Sequence, residues 1–247
     1  RLEQERGLNI SVAEQWPYLP LEQFKEQMYE KNILERPMLV MNDGRSFDYH
    51  AMAQMRSYIG RDNYPVIATG NVASTSNMTF FKDNDGKEMS SSDVWEIGSI
   101  TFNNGSVLNH SFSYMCKKAP FRTIQSLRGY SKSGTILTGK IDDKNNDYEI
   151  LDFRILTRSG DSVKLDVKVS RSNGVTRSIS ENTYGTIWEN EFHKFNLDDQ
   201  ETAVATHIAY ICRNQKPLYT VRDSLIDSIT INGLKRACHS RETVRFS

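Results

Sequence analysis

The first part of the chain carries apolar residues at helical spacing. Leu21, Phe24 and Met28 recur on one face of a run that begins with Pro20, a residue favoured in the first turn of a helix. This spacing predicts an amphipathic helix over residues 20–29.

The next segment predicts a strand, a helix and a second strand. Residues 38–41 form a short apolar run, which ends at a polar turn containing Gly44. Ser46 is suited to cap a helix that ends at Gly60, and residues 65–68 form a second apolar run. Strand, helix and strand in this order are typical of the right-handed crossover of parallel α/β folds. Such folds bind ligands at the carboxyl ends of their strands, which is where the polar turn lies.

Beyond about residue 118 the hydrophobic period changes from helical to alternating. Residues 151–155 and 163–169 alternate apolar and polar side chains, and the turn at 159–161 predicts that they form a hairpin. Several short strands at regular spacing are typical of a β-sandwich of jelly-roll type. Further strands are predicted at 178–179, 192–197, 207–212 and 225–231.

The change of period divides the chain into two predicted domains and a tail. We expect an α/β domain over residues 1–118, a jelly-roll sandwich over 119–235 and a basic tail over 236–247. A chain of 247 residues has room for two small domains but not for a third of full length.

Charge and composition exclude two classes of partner. The 31 Lys and Arg residues balance the 31 Asp and Glu residues, so no net field would concentrate nucleic acid or an anionic bilayer. No apolar run approaches the roughly 18 residues of a membrane span. Because the sequence begins with Arg1 rather than Met, we expect that its original start, with any export signal, has been lost.

The three cysteines allow two interpretations. Cys116, Cys212 and Cys238 follow neither a metal-binding spacing nor an even disulfide framework. A bridge between Cys212 and Cys238 would suit an exported protein, whereas three reduced cysteines would suit any compartment.

A series of short motifs carries a resemblance to a known family. The polar turn at 42–44 follows an apolar strand, a helix and the segment 64–70 come next, and His110 lies further on in the segment 107–111. In this order the motifs resemble the first half of a polysaccharide deacetylase of the NodB-homology family. That family has a strand ending in Thr-Phe-Asp-Asp-Gly, a helix, a second strand and a His-(Ser/Thr)-x-x-His motif. The resemblance covers residues 15–114 and implies a partial β/α-barrel.

The resemblance implies a metal-dependent hydrolase in which two of the functional residues are substituted. In the family one Asp and two His hold a divalent metal, and a neighbouring Asp activates the attacking water. Asp43 matches the metal-binding Asp, and His110 matches the first His. Asn42 stands at the position of the base, and Tyr114 stands at the position of the second His. The resemblance implies a divalent metal, with zinc as the candidate, that could be absent because two positions are substituted, and we expect hydrolysis to be impaired or lost.

Two neighbouring residues offer a possible replacement for the lost groups. His50 and Asp48 lie close beyond the turn at Gly44. Each is also explained as an ordinary polar residue on a surface helix, and this is the interpretation that we favour.

The second domain is similar to the galactose-binding-like sandwiches of carbohydrate-binding modules. The similarity depends on the segments 148–153, 186–192 and 227–231. Exposed aromatic rings bind the apolar face of a sugar in such modules. Trp188 and Tyr184 are the candidates for this contact, although packing within the sandwich would also explain each.

These observations lead to three hypotheses about function. The first is a deacetylase-like pseudoenzyme that binds an N-acetylated or O-acetylated polysaccharide without cutting it. The second is an active deacetylase with its missing groups supplied from elsewhere in the chain. The third is a structural or adhesive part of a virion, phage tail or cell-surface assembly, with a homo-oligomer as one possible state. All three predict an extracellular, cell-surface or virion-surface location.

Overall fold

The computed structural model describes most of the chain. The described residues are 5–7, 10–46, 48–82, 85, 87–113, 124–142, 147–156, 162–164, 167–172, 175–181, 185–195 and 197–247. They contain four α-helices: α1 (Pro20–Glu30), α2 (Asp48–Ile59), α3 (Asp199–Cys212) and α4 (Val221–Ser240).

Twelve strands are described along the chain. They are β1 (Leu39–Asp43), β2 (Pro65–Lys82), β3 (Glu88–Phe102), β4 (Val107–Ser113), β5 (Ile124–Tyr130), β6 (Gly134–Asp142), β7 (Asp147–Leu156), β8 (Ser162–Lys164), β9 (Val167–Ser172), β10 (Val175–Glu181), β11 (Gly185–Glu189) and β12 (Val244–Arg245).

Nine of these strands form one mixed sheet in the order β12-β2-β3-β4-β1-β5-β6-β7-β8. Strand β1 is parallel to β4, with Asn42 opposite His110, and antiparallel to β5. Each remaining neighbouring pair is antiparallel. The other three strands form a small antiparallel sheet in the order β11-β10-β9.

Helices α1, α2 and α4 bury their apolar faces against the centre of the large sheet. Burial of this apolar surface is the main source of the stability of such a layer. The shared core contains Phe24, Met28, Val40, Met52, Met55, Tyr58, Ala68, Ile100, Leu108, Leu127, Ile136, Leu234, Ala237 and Cys238. Helix α3 belongs to a second cluster, in which Ala203 packs with Tyr18, Ala53 and Tyr219.

The predicted elements of the first 70 residues are confirmed. The helix predicted over residues 20–29 is α1, the apolar run at 38–41 lies in β1, and the next helix is α2. The second strand, β2, runs in the same direction as β1, but β3 and β4 lie between them.

The predictions of a jelly-roll sandwich and of a deacetylase barrel are wrong. Within the described part of the chain, the strands form an open sheet with helices rather than a closed barrel or a sandwich. Two segments predicted as strands, 207–212 and 225–231, are helical. Each helix begins with a capping box, in which Asp198 exchanges hydrogen bonds with Glu201 and Thr220 with Asp223. These capping boxes mark where both helices begin.

The predicted hairpin between 151–155 and 163–169 is present in part. Strand β7 pairs with the short β8, but β9 belongs to the smaller sheet. The domain boundary near residue 118 lies outside the described residues and stays a prediction, although strands from both sides of it join the large sheet.

The described cysteines are thiols, and no disulfide joins them. Cys212 is exposed and Cys238 is buried, while Cys116 lies outside the described residues. Among the helices that can be described, none is both long enough and apolar enough to cross a membrane.

Candidate active site at the start of helix α2

The connection from β1 to α2 is held in place by the side chain of Asn42. Its amide Nδ2 donates to the backbone oxygen of Ser46 at 2.8 Å, and its Oδ1 accepts from the Ser46 amide at 3.3 Å. Gly44 has a φ of 64°, a left-handed conformation that glycine adopts without steric strain. The turn therefore fixes where α2 begins.

The imidazole of His110 lies beneath this turn as a buried, neutral group. Asn42 Nδ2 lies 2.9 Å from His110 Nδ1. Because an amide nitrogen only donates, Nδ1 accepts this bond and the ring proton is on Nε2. Nε2 is buried and has no hydrogen-bond partner in the described part of the structure. Burial lowers the pKa of His110 to about 4, so the ring carries no charge at neutral pH.

The structure brings Asn42 and His110 together but separates Asp43 from them. Successive side chains of a strand point to opposite faces of the sheet, so Asp43 lies on the face opposite Asn42 and is exposed. Tyr114 lies outside the described residues. Where side chains can be described, no group of three or more His, Cys, Asp or Glu residues could hold a metal ion. The prediction of a divalent metal, possibly zinc, is therefore wrong.

A second histidine, His50, lies in the first turn of α2 and pairs with the buried carboxylate of Glu14. His50 Nδ1 lies 2.8 Å from Glu14 Oε2. The Glu14 side chain is fully buried, whereas 23% of the His50 side chain is exposed. The other oxygen of Glu14 accepts from the backbone amide of Trp16 at 3.2 Å. The Trp16 amide thus holds the Glu14 carboxylate in place, and the carboxylate orients the His50 imidazole at the surface.

Polar groups surround the exposed side of this pair. The Tyr49 ring packs against the His50 ring in a tilted arrangement, with 4.1 Å between the ring centroids. Burial raises the pKa of the Tyr49 phenol, and the carboxylates of Glu14 and Asp48 raise it further, so the phenol keeps its proton. Asp48 forms an ion pair with Lys235 of α4.

A buried polar network supports α2 from the other side. Ser46 Oγ donates to Gln54 Oε1 at 2.8 Å, and Gln54 Nε2 donates to Glu22 Oε1 at 2.8 Å. The Lys25 ammonium donates to the same oxygen of Glu22 at 2.7 Å. These bonds tie α2 to α1 and limit movement of the turn that carries His50.

The arrangement around His50 is suited to moving a proton to or from a bound molecule. Glu14 holds Nδ1, so proton exchange with a ligand takes place at Nε2. The group lies at the carboxyl ends of the parallel strands β1 and β4, a common place for ligand sites in α/β sheets. We therefore take His50, Glu14, Tyr49, Asp48 and Lys235 as the candidate active site.

Sequence reasoning found this site only in part. It named His50 and Asp48 but favoured an ordinary role on a surface helix for both. Glu14 and Lys235 lie far from them along the chain, and neither belongs to a motif that could have identified it.

Neither of the two aromatic residues predicted to bind sugar is found at the candidate active site among the described residues. Trp188 is partly buried at the edge of the core and lines a groove beside α1. Tyr184 lies outside the described residues. A sugar contact at Trp188 stays a prediction.

Sequence comparison identifies no relative of this chain. No protein-family model matches the sequence, and no characterised protein matches it significantly.

Solved structures, in contrast, are similar over nearly the whole chain. An aldose-aldose oxidoreductase from Caulobacter crescentus matches with a TM-score of 0.56 and 12% identity, over 98% of this chain and 65% of its own. Gal80p from Saccharomyces cerevisiae, as a super-repressor mutant, matches with a TM-score of 0.63 and 12% identity, over 99% and 67%. An oxidoreductase from Agrobacterium radiobacter, solved with NAD+, L-tartaric acid and magnesium, matches with a TM-score of 0.58 and 13% identity, over 98% and 66%.

These similarities correct the family predicted from the sequence. The resemblances to a polysaccharide deacetylase and to a carbohydrate-binding module are wrong, because the matching structures are oxidoreductases and Gal80p. The deacetylase and pseudoenzyme hypotheses, which followed from those resemblances, are wrong as well, and so is the structural hypothesis, which depended on a jelly-roll sandwich. The chain spans about two thirds of the length of the proteins that it matches. At this level of identity the similarity shows a shared fold, an open Rossmann-like α/β arrangement.

Proposed function

We propose that this chain binds a polyhydroxylated compound, such as a sugar or polyol, as the substrate-binding part of an NAD(P)-linked oxidoreductase. Two observations support the proposal. The fold is shared with oxidoreductases, one of which acts on aldoses according to its name. The His50–Glu14 pair supplies an oriented imidazole at the carboxyl end of β1.

The pair of His50 and Glu14 is the observation that carries the proposal. Oxidation of an alcohol requires loss of the hydroxyl proton, and reduction of the carbonyl requires its return. His50 Nε2 would take the proton in one direction and give it back in the other. The buried Glu14 carboxylate, 2.8 Å from Nδ1, would stabilise the imidazolium that forms in between.

The neighbouring groups would orient the substrate. The Tyr49 phenol can donate a hydrogen bond to a substrate oxygen, since its raised pKa keeps it protonated. Asp48 can accept from a hydroxyl, and the Lys235 ammonium beside it can donate to one. Such alternating donors and acceptors suit a compound with several hydroxyl groups.

The described residues do not fit the phosphates of a nicotinamide dinucleotide. Those phosphates are commonly held by a G-x-G-x-x-G turn that leads from a strand into a helix. No two glycines in this sequence are separated by a single residue. The turn from β1 to α2 instead lies between two carboxylates, Asp43 and Asp48, which would repel a phosphate. None of the proton-transfer and binding steps assigned to these residues therefore involves the dinucleotide.

This misfit favours a second candidate function. The chain would then bind a sugar or polyol at the same site without any redox chemistry. The acetylated polysaccharide and the homo-oligomer predicted from the sequence stay predictions, and neither candidate function requires them.

Binding to the 247-residue chain is the first test. Saturation-transfer NMR with D-glucose, glycerol and myo-inositol is expected to identify at least one ligand. His50→Asn is expected to weaken its binding about tenfold, which corresponds to the loss of one or two hydrogen bonds. His239→Asn is the matched control, because His239 forms a similar pair with Glu96, 2.8 Å apart, near the end of α4. Equal weakening by both variants, or no ligand at all, would contradict the proposal.

Catalysis is the second test and separates the two candidates. NAD+ or NADP+ is added with the ligand that binds, and the reduced nicotinamide is followed by its absorbance. The oxidoreductase predicts a measurable rate when a part of the protein that holds the dinucleotide is present; His50→Asn is expected to lower that rate at least about 100-fold and His239→Asn to leave it unchanged. Binding of the ligand without any reduction, in a preparation that also binds NAD+ or NADP+, would favour the second candidate.

A further inference from the structure

A large polar groove lies at the opposite end of α2 from the candidate active site. It has a volume of about 860 Å³ and is bounded by α1, the residues after α2, Trp188 and the start of α4. His50 lies in the first turn of α2, and Arg61 follows its last turn. At about 1.5 Å per residue the helix separates the two by roughly 15 Å. The groove is therefore a distinct region of the surface.

Arg61 is an unpaired cation in the wall of this groove. Its guanidinium makes no hydrogen bond or ion pair with any described residue, and its Nη1 atom is buried without a partner. The nearest defined contact is the face of the Tyr219 ring, 5.7 Å away. Burial lowers the pKa of Arg61, while the carboxylates of Asp223, Glu26 and Asp227 act in the opposite direction. A partly buried cation that has no ion pair of its own is stabilised when an anion joins it.

Most of the acidic groups in the groove are already neutralised. Glu26 pairs with Arg36, and Asp223 accepts from Arg56 at 3.1 Å. Glu22 accepts from the buried Lys25. Asp223 and Glu26 also attract the charge of Arg61, but each already has an ion-pair partner of its own.

Besides Arg61, four charged side chains in the groove have no ion pair within the described part of the chain. Two are cations, Lys216 and Arg222, and both are exposed. Two are carboxylates, Asp62 and Glu30, of which Glu30 accepts a hydrogen bond from Gln27. With Arg61, the groove thus presents three available cations and two available carboxylates.

We infer that this groove binds a small sugar derivative through an oxyanion, a phosphate or a carboxylate, with Arg61 as the anchor of that anion. A planar guanidinium can donate two parallel hydrogen bonds to either group. Lys216 and Arg222 add positive charge from the rim, while Asp62 and Glu30 accept from hydroxyl groups. Trp188 and Tyr210 line the same groove and offer flat apolar faces to a sugar ring. The volume lies within the range of small-molecule sites.

Isothermal titration calorimetry on the 247-residue chain tests this inference. The probes are inorganic phosphate, glucose 6-phosphate, glucuronate and glucose. Glucose 6-phosphate or glucuronate is expected to bind at least about tenfold more tightly than glucose, and the tighter of the two identifies the anion. Arg61→Gln is expected to weaken that binding at least tenfold, and Arg61→Lys to weaken it less.

Arg236→Gln is the matched control, since Arg236 is exposed on α4 outside the groove and has no described ion pair. Thermal unfolding checks that each variant is folded. Arg61→Gln is expected to be at least as stable as the wild type without ligand, because it removes a partly buried charge that has no ion pair. The ligand is expected to raise the melting temperature of the wild type and of Arg236→Gln but not that of Arg61→Gln.

Three results would overturn the inference. The first is equal affinity in the wild type and Arg61→Gln. The second is equal affinity for glucose and for both of its charged derivatives. The third is weak, non-saturating binding that Arg236→Gln reduces as much as Arg61→Gln does. Because the candidate active site is tested with His50→Asn, failure here leaves the proposed function untouched, and the reverse also holds.

Discussion

Protonation of His110 is expected to weaken the fold as the pH falls from 6.5 to about 4. Burial lowers the pKa of this imidazole from 6.5 to about 4 in the folded chain. Between these values the unfolded chain binds a proton that the folded chain does not. Stability is therefore retained above pH 6.5 and is lost progressively as the pH falls toward 4.

The size of this effect follows from the shift in pKa. One pKa unit corresponds to about 1.4 kcal/mol, so the whole shift is worth roughly 3 kcal/mol. At about pH 4.5 most of that loss has occurred, or roughly 2.5 kcal/mol. His110 is 1% exposed, so little screening by water is expected.

His110→Gln isolates this contribution from that of the carboxylates. The glutamine oxygen can accept the hydrogen bond that Asn42 Nδ2 donates at 2.9 Å, but the side chain does not titrate. Guanidinium chloride unfolding of both proteins, followed by circular dichroism, gives their difference in stability at pH 7 and pH 4.5. That difference is expected to change by roughly 2.5 kcal/mol, because the wild type alone loses the contribution of His110.

A constant difference, within about 0.5 kcal/mol, would refute the reasoning. So would an NMR titration in which the ring of His110 becomes protonated near pH 6.5 in the folded chain.

Two further substitutions test the packing of α4. Asp227→Asn is expected to destabilise the chain by about 3 kcal/mol in urea unfolding, because Asp227 accepts from Arg56 at 2.6 Å and from Tyr219 at 2.7 Å in a buried site; no measurable loss would show that this network is dispensable. Gly233→Ala is expected to lower stability by roughly 1–3 kcal/mol, because a Cβ atom there would lie 2.4 Å from the Phe246 ring. Adding Phe246→Leu should restore part of that loss, and a double variant less stable than either single one would contradict the explanation.

Local signals in the sequence were sufficient for the elements around the candidate site. The apolar spacing of α1, the short run of β1 and the apolar face of α2 are patterns within one segment, and the structure has each of them. The two C-terminal helices were missed although their capping boxes are also local, because the segments 207–212 and 225–231 were interpreted as strands.

The candidate site itself depends on contacts between distant parts of the chain. His50 and Glu14 meet only because the segment before α1 folds back on α2. The predicted site failed for a different reason, since Asn42 and Asp43 are neighbours on a strand and must face opposite sides of the sheet. A motif matched along the sequence does not reveal which of its side chains share a face.

The position of β1 in the sheet has a consequence for the order of folding. Strand β1 lies between β4 and β5, and both partners come much later along the chain. Pairings between such distant segments close large loops and form slowly. The hairpin of β2 and β3 joins consecutive strands and can form early. The start of α2, which carries His50, would then become ordered in one of the last steps, when β1 pairs with β4 and β5.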